Sequence, residues 1–292
     1  MKTLEEVDLT SVYPAIKGYR PHHMNDDIRQ LCLRLMHENE PLSFKNTFIS
    51  VLQLHFEDLV TNWMGTPEYG SSETRERWEK EKAVLEKLLE AGKKFICSFY
   101  NGKPKIEPVR EAIFETSPSI LSTSMYYRVR GCPNMGNLVN KVQDIQRFGL
   151  ETPKILEKEI IDGVACIAPL GFEPALLLAE IFEKDILILG GQESRRTKPI
   201  KAPEDYLKNF TEGRAIVAVD SGVTTAFDLS HSLLEIYKTK PLGLYCAIPV
   251  LGKERPNWMS QDETDFQLCF LKGEIKMLNK DAPSVFEYKL SS

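Results

Sequence analysis

The sequence has no Cys-x-x-Cys pair and no histidine at metal-ligand spacing, so a zinc site has nothing to be built from. Its six cysteines (Cys32, Cys97, Cys132, Cys166, Cys246 and Cys269) lie far apart, and all but Cys132 sit in apolar runs, as small buried hydrophobes do. No apolar stretch reaches 18 residues, and the acidic start MKTLEEVDLT lacks the apolar core of a secretory signal. A membrane is therefore not an expected partner, and a reduced, cytoplasmic protein is the simplest expectation. There is also no surplus of basic charge: 37 Lys and Arg stand against 42 Asp and Glu, a net charge of -5. A polyanion cannot be held by such a field, which removes long nucleic acid from the expected partners. Walker loops, Gly-x-Ser-x-Gly elbows and paired-carboxylate signatures are absent from the sequence.

What is present is the composition of a globular protein, 42% hydrophobic and 27% charged over 292 residues, enough chain for a substantial core. The acidity is regional. Residues 1–92 hold 11 basic and 16 acidic side chains, which leaves 26 of each for the remainder. That first third reads as helices over Asp27 to Met36, over Phe48 to Phe56 continuing into Leu59 and Val60, and over Glu73 to Ala91. Gly92 is the expected stop of the last, and Pro41, Pro67 and Gly70 mark the breaks. We expect residues 1–92 to form a helical cap or dimerisation region, and residues 93–292 a second, α/β domain.

Beyond residue 93, β-rich runs alternate with helical ones. Lys94 to Phe99 reads as an outlying strand, followed by Val164 to Ala168, Asp185 to Leu189, Ala215 to Val219 and Leu242 to Val250. Helices are expected from Ala175 to Phe182 and from Ala226 to Lys238. Strand and helix units of this length give a parallel sheet, whose ligands bind beyond the carboxyl ends of the strands. The informative loops thus follow Ala168, Leu189, Val219 and Val250.

The most specific of these is VDSGVTTAFDL, residues 219–229. An apolar strand ending in Asp220, then a turn through Ser221, Gly222, Val223, Thr224 and Thr225 that opens a helix at Ala226, can cradle a sugar phosphate. The acid faces ribose hydroxyls, while backbone N–H groups and threonine hydroxyls face phosphate. Thr224 and Thr225 serve equally well as caps of the following helix. Here the chain resembles the type I phosphoribosyltransferases, whose signature is an apolar strand, two acids, two apolar residues and a threonine- and glycine-rich turn.

The resemblance spans roughly residues 120–260. Val164 to Ala168, Pro169, Leu170, Gly171 and the helix after them look like the family's first strand, pyrophosphate loop and helix. A second strand, a long loop carrying Arg195, Arg196 and Lys198, the signature strand and a fourth strand follow in the family's order.

The resemblance implies a phosphoribosyltransferase-like parallel-sheet core behind the helical region. Its activity would be transfer of 5-phosphoribosyl from phosphoribosyl pyrophosphate (PRPP) to a nitrogen acceptor, a nucleobase by analogy, with release of pyrophosphate. Asp220 would hold the ribose, Thr224, Thr225 and the helix start at Ala226 the 5'-phosphate, and Ser221, Gly222 and Val223 would complete the binding loop. Pro169, Leu170 and Gly171 would hold pyrophosphate, and Arg195, Arg196 and Lys198 would close over it as it leaves. Mg2+ would arrive on the substrate, with no protein metal site of its own. The expected partners are a small phosphorylated sugar or nucleotide and a second copy of the chain.

Four positions depart from the family pattern. Ser221 replaces the second acid, Ala226 and Phe227 replace small glycines, and Asp228 takes the final threonine position. Their alternative implication is a non-catalytic homologue that binds a nucleotide or PRPP as a regulatory ligand. Glu173, an acid just after the pyrophosphate loop, is expected to point outward.

Overall fold

A computed structural model describes residues 2–17, 27–64, 72–120, 138–168, 171–190, 215–219, 243–248, 263–268, 271–279 and 284–290. The chain divides into two compact units, Glu5–Asn140 and a second made of Met1–Leu4 with Lys141–Ser292.

The first unit is helical. Helix α1 (Leu9–Val12) is capped by Asp8, whose carboxylate accepts from the Thr10 amide at 3.0 Å. Hydrogen bonds from the Ser11 and Thr10 hydroxyls hold that carboxyl at a pKa of about 2. A 3-10 turn follows over Pro14–Lys17. Helix α2 (Ile28–His37) opens with a reciprocal capping box: the Gln30 amide donates to Asp27, and the Asp27 amide to the Gln30 side chain, both at 2.9 Å. Ile28, Leu31, Cys32 and Leu35, on one helical stripe, are buried.

Helix α3 (Pro41–Met64) has proline in its first position, where no amide bond is lost. The Glu40 carboxylate caps it, accepting from the amides of Leu42 at 3.1 Å and Ser43 at 2.6 Å. Between Leu42 and Phe56 the buried side chains cover more than half of the helix circumference, which makes α3 central to this unit.

Helix α4 (Ser72–Tyr100) passes straight through Gly92 and takes in Lys94 to Phe99, which corrects the outlying strand expected there. The reason is periodicity. KFICSF alone fits a strand, but Val84, Leu85, Leu88, Leu89, Phe95, Ile96, Phe99 and Tyr100 form one buried stripe at helical spacing. The stop falls instead at Gly102, whose φ of +70° allows its amide to reach Phe99 O at 2.9 Å while Lys103 reaches Ser98 O at 3.0 Å. Helix α5 (Glu107–Ile120) follows. The compact helical unit thus runs to Asn140, past residue 92.

An aromatic cluster joins these helices. Tyr13 stacks on Phe99 with ring centroids 4.5 Å apart, and its hydroxyl donates to Phe99 O at 2.8 Å. Phe95 meets Phe44 and Phe48 edge-on at 5.1 and 6.1 Å.

The second unit contains helix α6 (Leu138–Ile155, from Lys141 onward), strand β1 (Ile161–Ala168), helix α7 (Phe172–Phe182) and strands β2 (Ile186–Gly190), β3 (Ala215–Val219), β4 (Gly243–Ile248), β5 (Glu263–Leu268), β6 (Leu271–Asn279) and β7 (Ser284–Leu290). The seven strands form one sheet in the order β2-β1-β3-β4-β7-β6-β5. β2, β1, β3 and β4 are parallel; β7, β6 and β5 continue the sheet antiparallel.

Val164, Ala165 and Cys166 are all fully buried, so β1 is covered on both faces, which is why it reads as an unbroken apolar run. Farther across the sheet, Tyr245 on β4 is in register with Glu287 on β7, and Glu287 with Lys276 on β6. Burial raises the Tyr245 phenol pKa, and a hydrogen bond to the Glu159 carboxylate raises it further.

Candidate functional site

The strand order fixes where the connections diverge. From β1 the chain passes through α7 to β2, which pairs on one side of β1; β3 pairs on the other. The carboxyl ends of β1 and β3 therefore flank a switch point, the position where open α/β sheets leave a crevice for ligands. In the β1–β3 register Cys166 is opposite Val219, the last residue of β3, and β1 ends two residues later at Ala168. Neighbouring strands lie about 4.8 Å apart, and β1 runs two residues, about 7 Å, beyond the level at which β3 ends.

Gly171 is the N-cap of α7, with φ -80° and ψ -8°, and no side chain caps the helix there. The positive end of the α7 dipole thus lies at Gly171. All eleven residues of α7 are buried, from Phe172 at 0% exposure to Phe182 at 9%. Such a helix has no solvent face, and its sequence FEPALLLAEIF accordingly shows no polar stripe.

Two carboxylates are buried with it. Glu173, in the first turn, is 7% exposed, so it does not point outward as expected. A carboxylate in this turn is favoured by the helix dipole, by about 0.3–1 kcal/mol or up to about 2 kcal/mol where partly buried, which offsets part of the cost of burying it. Glu180, in the last full turn, is equally buried and pairs with Lys2.

Of the residues expected at the site, Gly171 is in place at the head of α7. Pro169, Leu170, Arg195, Arg196, Lys198, Asp220, Ser221, Gly222, Val223, Thr224, Thr225 and Ala226 lie outside the described residues, as do Phe227, Asp228 and the helix expected from Ala226 to Lys238. Gly171 stands three residues after the end of β1, β1 and β3 are neighbours in the sheet, and Asp220 follows Val219 directly in sequence. The burial of Glu173 and the Lys2–Glu180 pair have no local sequence signal, since the two partners of the pair stand 178 residues apart.

Among the described residues, no group of three or more His, Cys, Asp or Glu side chains could hold a metal ion. No described helix is long and apolar enough to cross a membrane. Cys32, Cys97 and Cys166 are buried and in no disulfide, and burial raises the Cys32 pKa to about 12, far from a reactive thiolate. In comparison with known proteins, no family model matches this chain, and no curated protein or solved structure matches it either.

Proposed function

We propose that this chain is a phosphoribosyltransferase-like protein whose ligand site lies beyond the ends of β1 and β3. The carrying observation is the switch point itself. The two segments that resemble a pyrophosphate loop and a ribose-phosphate loop, Pro169 to Gly171 and Asp220 to Ala226, are the two that follow those adjacent strand ends.

In this reading a nitrogen nucleophile attacks C1 of Mg2+-bound PRPP. The C1–O bond to pyrophosphate breaks as the C1–N bond forms, through an oxocarbenium-like transition state, and the acceptor gives up a proton. No covalent bond to the protein is needed, so the residues act by orientation and electrostatics. Asp220 holds the ribose hydroxyls, Thr224, Thr225 and the helix start at Ala226 hold the 5'-phosphate, with Ser221, Gly222 and Val223 completing the loop, and Pro169 to Gly171 receive the pyrophosphate. Arg195, Arg196 and Lys198 neutralise the leaving group and exclude the water that would hydrolyse the activated sugar. The expected setting is the cytoplasm, with the chain as a homodimer.

One observation favours the alternative of a non-catalytic homologue with PRPP or a nucleotide as regulatory ligand. Glu173 places a buried carboxylate in the first turn of the helix that follows the pyrophosphate segment, where it occupies part of the helix N-terminus that a second anion would use.

Pyrophosphate release with PRPP, Mg2+ and a panel of nucleobases separates the two. Release with one base, abolished in Asp220→Asn, supports transfer. PRPP binding without release for any base supports the regulatory reading, and absence of both removes the proposal.

A further inference from the structure

We infer that residues 2–4 form a strap that seats α7, and that its grip depends on the charge of Lys2. Three contacts make the strap. The Lys2 amide donates at 2.8 Å to Ile181 O, one of the terminal carbonyls that an α-helix leaves without an internal partner. The Lys2 ammonium lies 2.5 Å from the Glu180 carboxylate, which is 7% exposed and among the described residues has this one charged partner. Leu4, itself buried, completes the seam between α6 and α7: a Cβ on Gly149 would meet Leu177 Cδ2 at 2.6 Å and Leu4 Cδ2 at 3.0 Å.

The consequence is electrostatic. Neutralising Lys2, whose side chain is half-exposed, takes from the buried Glu180 carboxylate its one charged partner among the described residues, whereas removing both charges leaves no carboxylate to compensate. Opening the last turns of α7 returns that carboxylate to water. Because α7 is about 16 Å of continuous helix ending at Gly171, a seat at one end fixes the helix that leads from the end of β1.

The strap also marks a crossing of the chain. Residues 2–4 belong to the second unit, the chain leaves it between Leu4 and Glu5, and it returns at Lys141 within α6. No phosphoribosyl ligand is needed for the strap to act.

Hydrogen exchange of the full-length chain, read by mass spectrometry on peptides covering 172–182, tests this directly. Lys2→Gln is expected to speed exchange there about tenfold or more, with α4 and β6–β7 within about twofold of the wild type. Lys2→Arg keeps the protection. The double variant Lys2→Met/Glu180→Leu, which removes both charges, stays within about threefold of the wild type. Wild-type exchange in Lys2→Gln, acceleration spread evenly over the chain, equal loss in Lys2→Arg, or a double variant as fast as Lys2→Gln would each overturn the strap. A chain that binds no PRPP but shows the expected exchange pattern removes the proposed function and leaves the strap standing.

Discussion

Gly149 on α6 faces Leu177 on α7 so closely that a Cβ at Gly149 would sit 2.6 Å from Leu177 Cδ2 and 3.2 Å from Cγ. Leu177 is fully buried, so its side chain has little room to turn aside. Replacing a helical glycine by alanine normally gains about 1 kcal/mol, but overpacking a filled core costs about 1–3 kcal/mol. Gly149→Val, with two further methyl groups on a β-branched side chain, is therefore expected to unfold at lower urea concentration than the wild type. An unchanged midpoint would show that α6 and α7 can move apart without cost.

Arg110 clasps the end of α2 to α5. Its Nη2 donates to Glu38 O at 2.6 Å and to Asn39 Oδ1 at 2.9 Å, its Nε to Leu35 O at 3.2 Å, and Nη1 pairs with Glu107 at 3.3 Å. A guanidinium there satisfies carbonyls at a helix C-terminus and complements its dipole. Arg110→Ala is expected to destabilise the helical unit by about 1.5–3 kcal/mol, the range for a bond from a charged donor. Arg110→Lys should recover only part of that, because an ammonium cannot reproduce the planar fork. Equal stability of Lys and Arg variants in chemical denaturation would contradict this account.

His55 carries the clearest pH dependence among the helices. It is fully buried, its Nε2 donates to Glu81 O at 3.0 Å, and its Nδ1 has no hydrogen-bond partner among the described residues. Burial pushes its pKa below the ordinary imidazole value, while the bond and charge of Glu81 oppose the shift. The unfolded chain thus binds a proton near pH 6.5 that the folded chain refuses until lower pH. Stability is fully present above about pH 6.5 and falls on acidification, by at most about 1.4 kcal/mol per pH unit from this one group. His55→Gln keeps a donor for Glu81 O and cannot titrate, so it should flatten this part of the stability profile. The same slope in His55→Gln would assign the effect elsewhere.

The sequence is most legible where burial is complete. VACIA, ILIL and AIVAV are uninterrupted apolar runs between turn residues, and the chain has strands over Ile161–Ala168, Ile186–Gly190 and Ala215–Val219. The antiparallel β5, β6 and β7 have no such signal, because ETDFQL and LKGEIKMLN mix charged and apolar residues in short alternations that a surface loop can equally carry.

KFICSF fails for the opposite reason: six residues are too few to separate a strand from the end of a 29-residue helix. The head of α7 is readable through Gly171, whereas the buried state of Glu173 is not, since a carboxylate in a first helical turn is ordinarily solvated. Lys2 and Glu180 belong to distant parts of the chain, and only the folded structure brings them together.

The central claim is that the ends of β1 and β3 hold a phosphoribosyl ligand, and titration calorimetry with PRPP and Mg2+ tests it most directly. Binding at roughly micromolar PRPP, a free energy near -8 kcal/mol, that is lost in Asp220→Asn is the expected result. No heat of binding at millimolar PRPP, or equal affinity in wild type and Asp220→Asn, would contradict it.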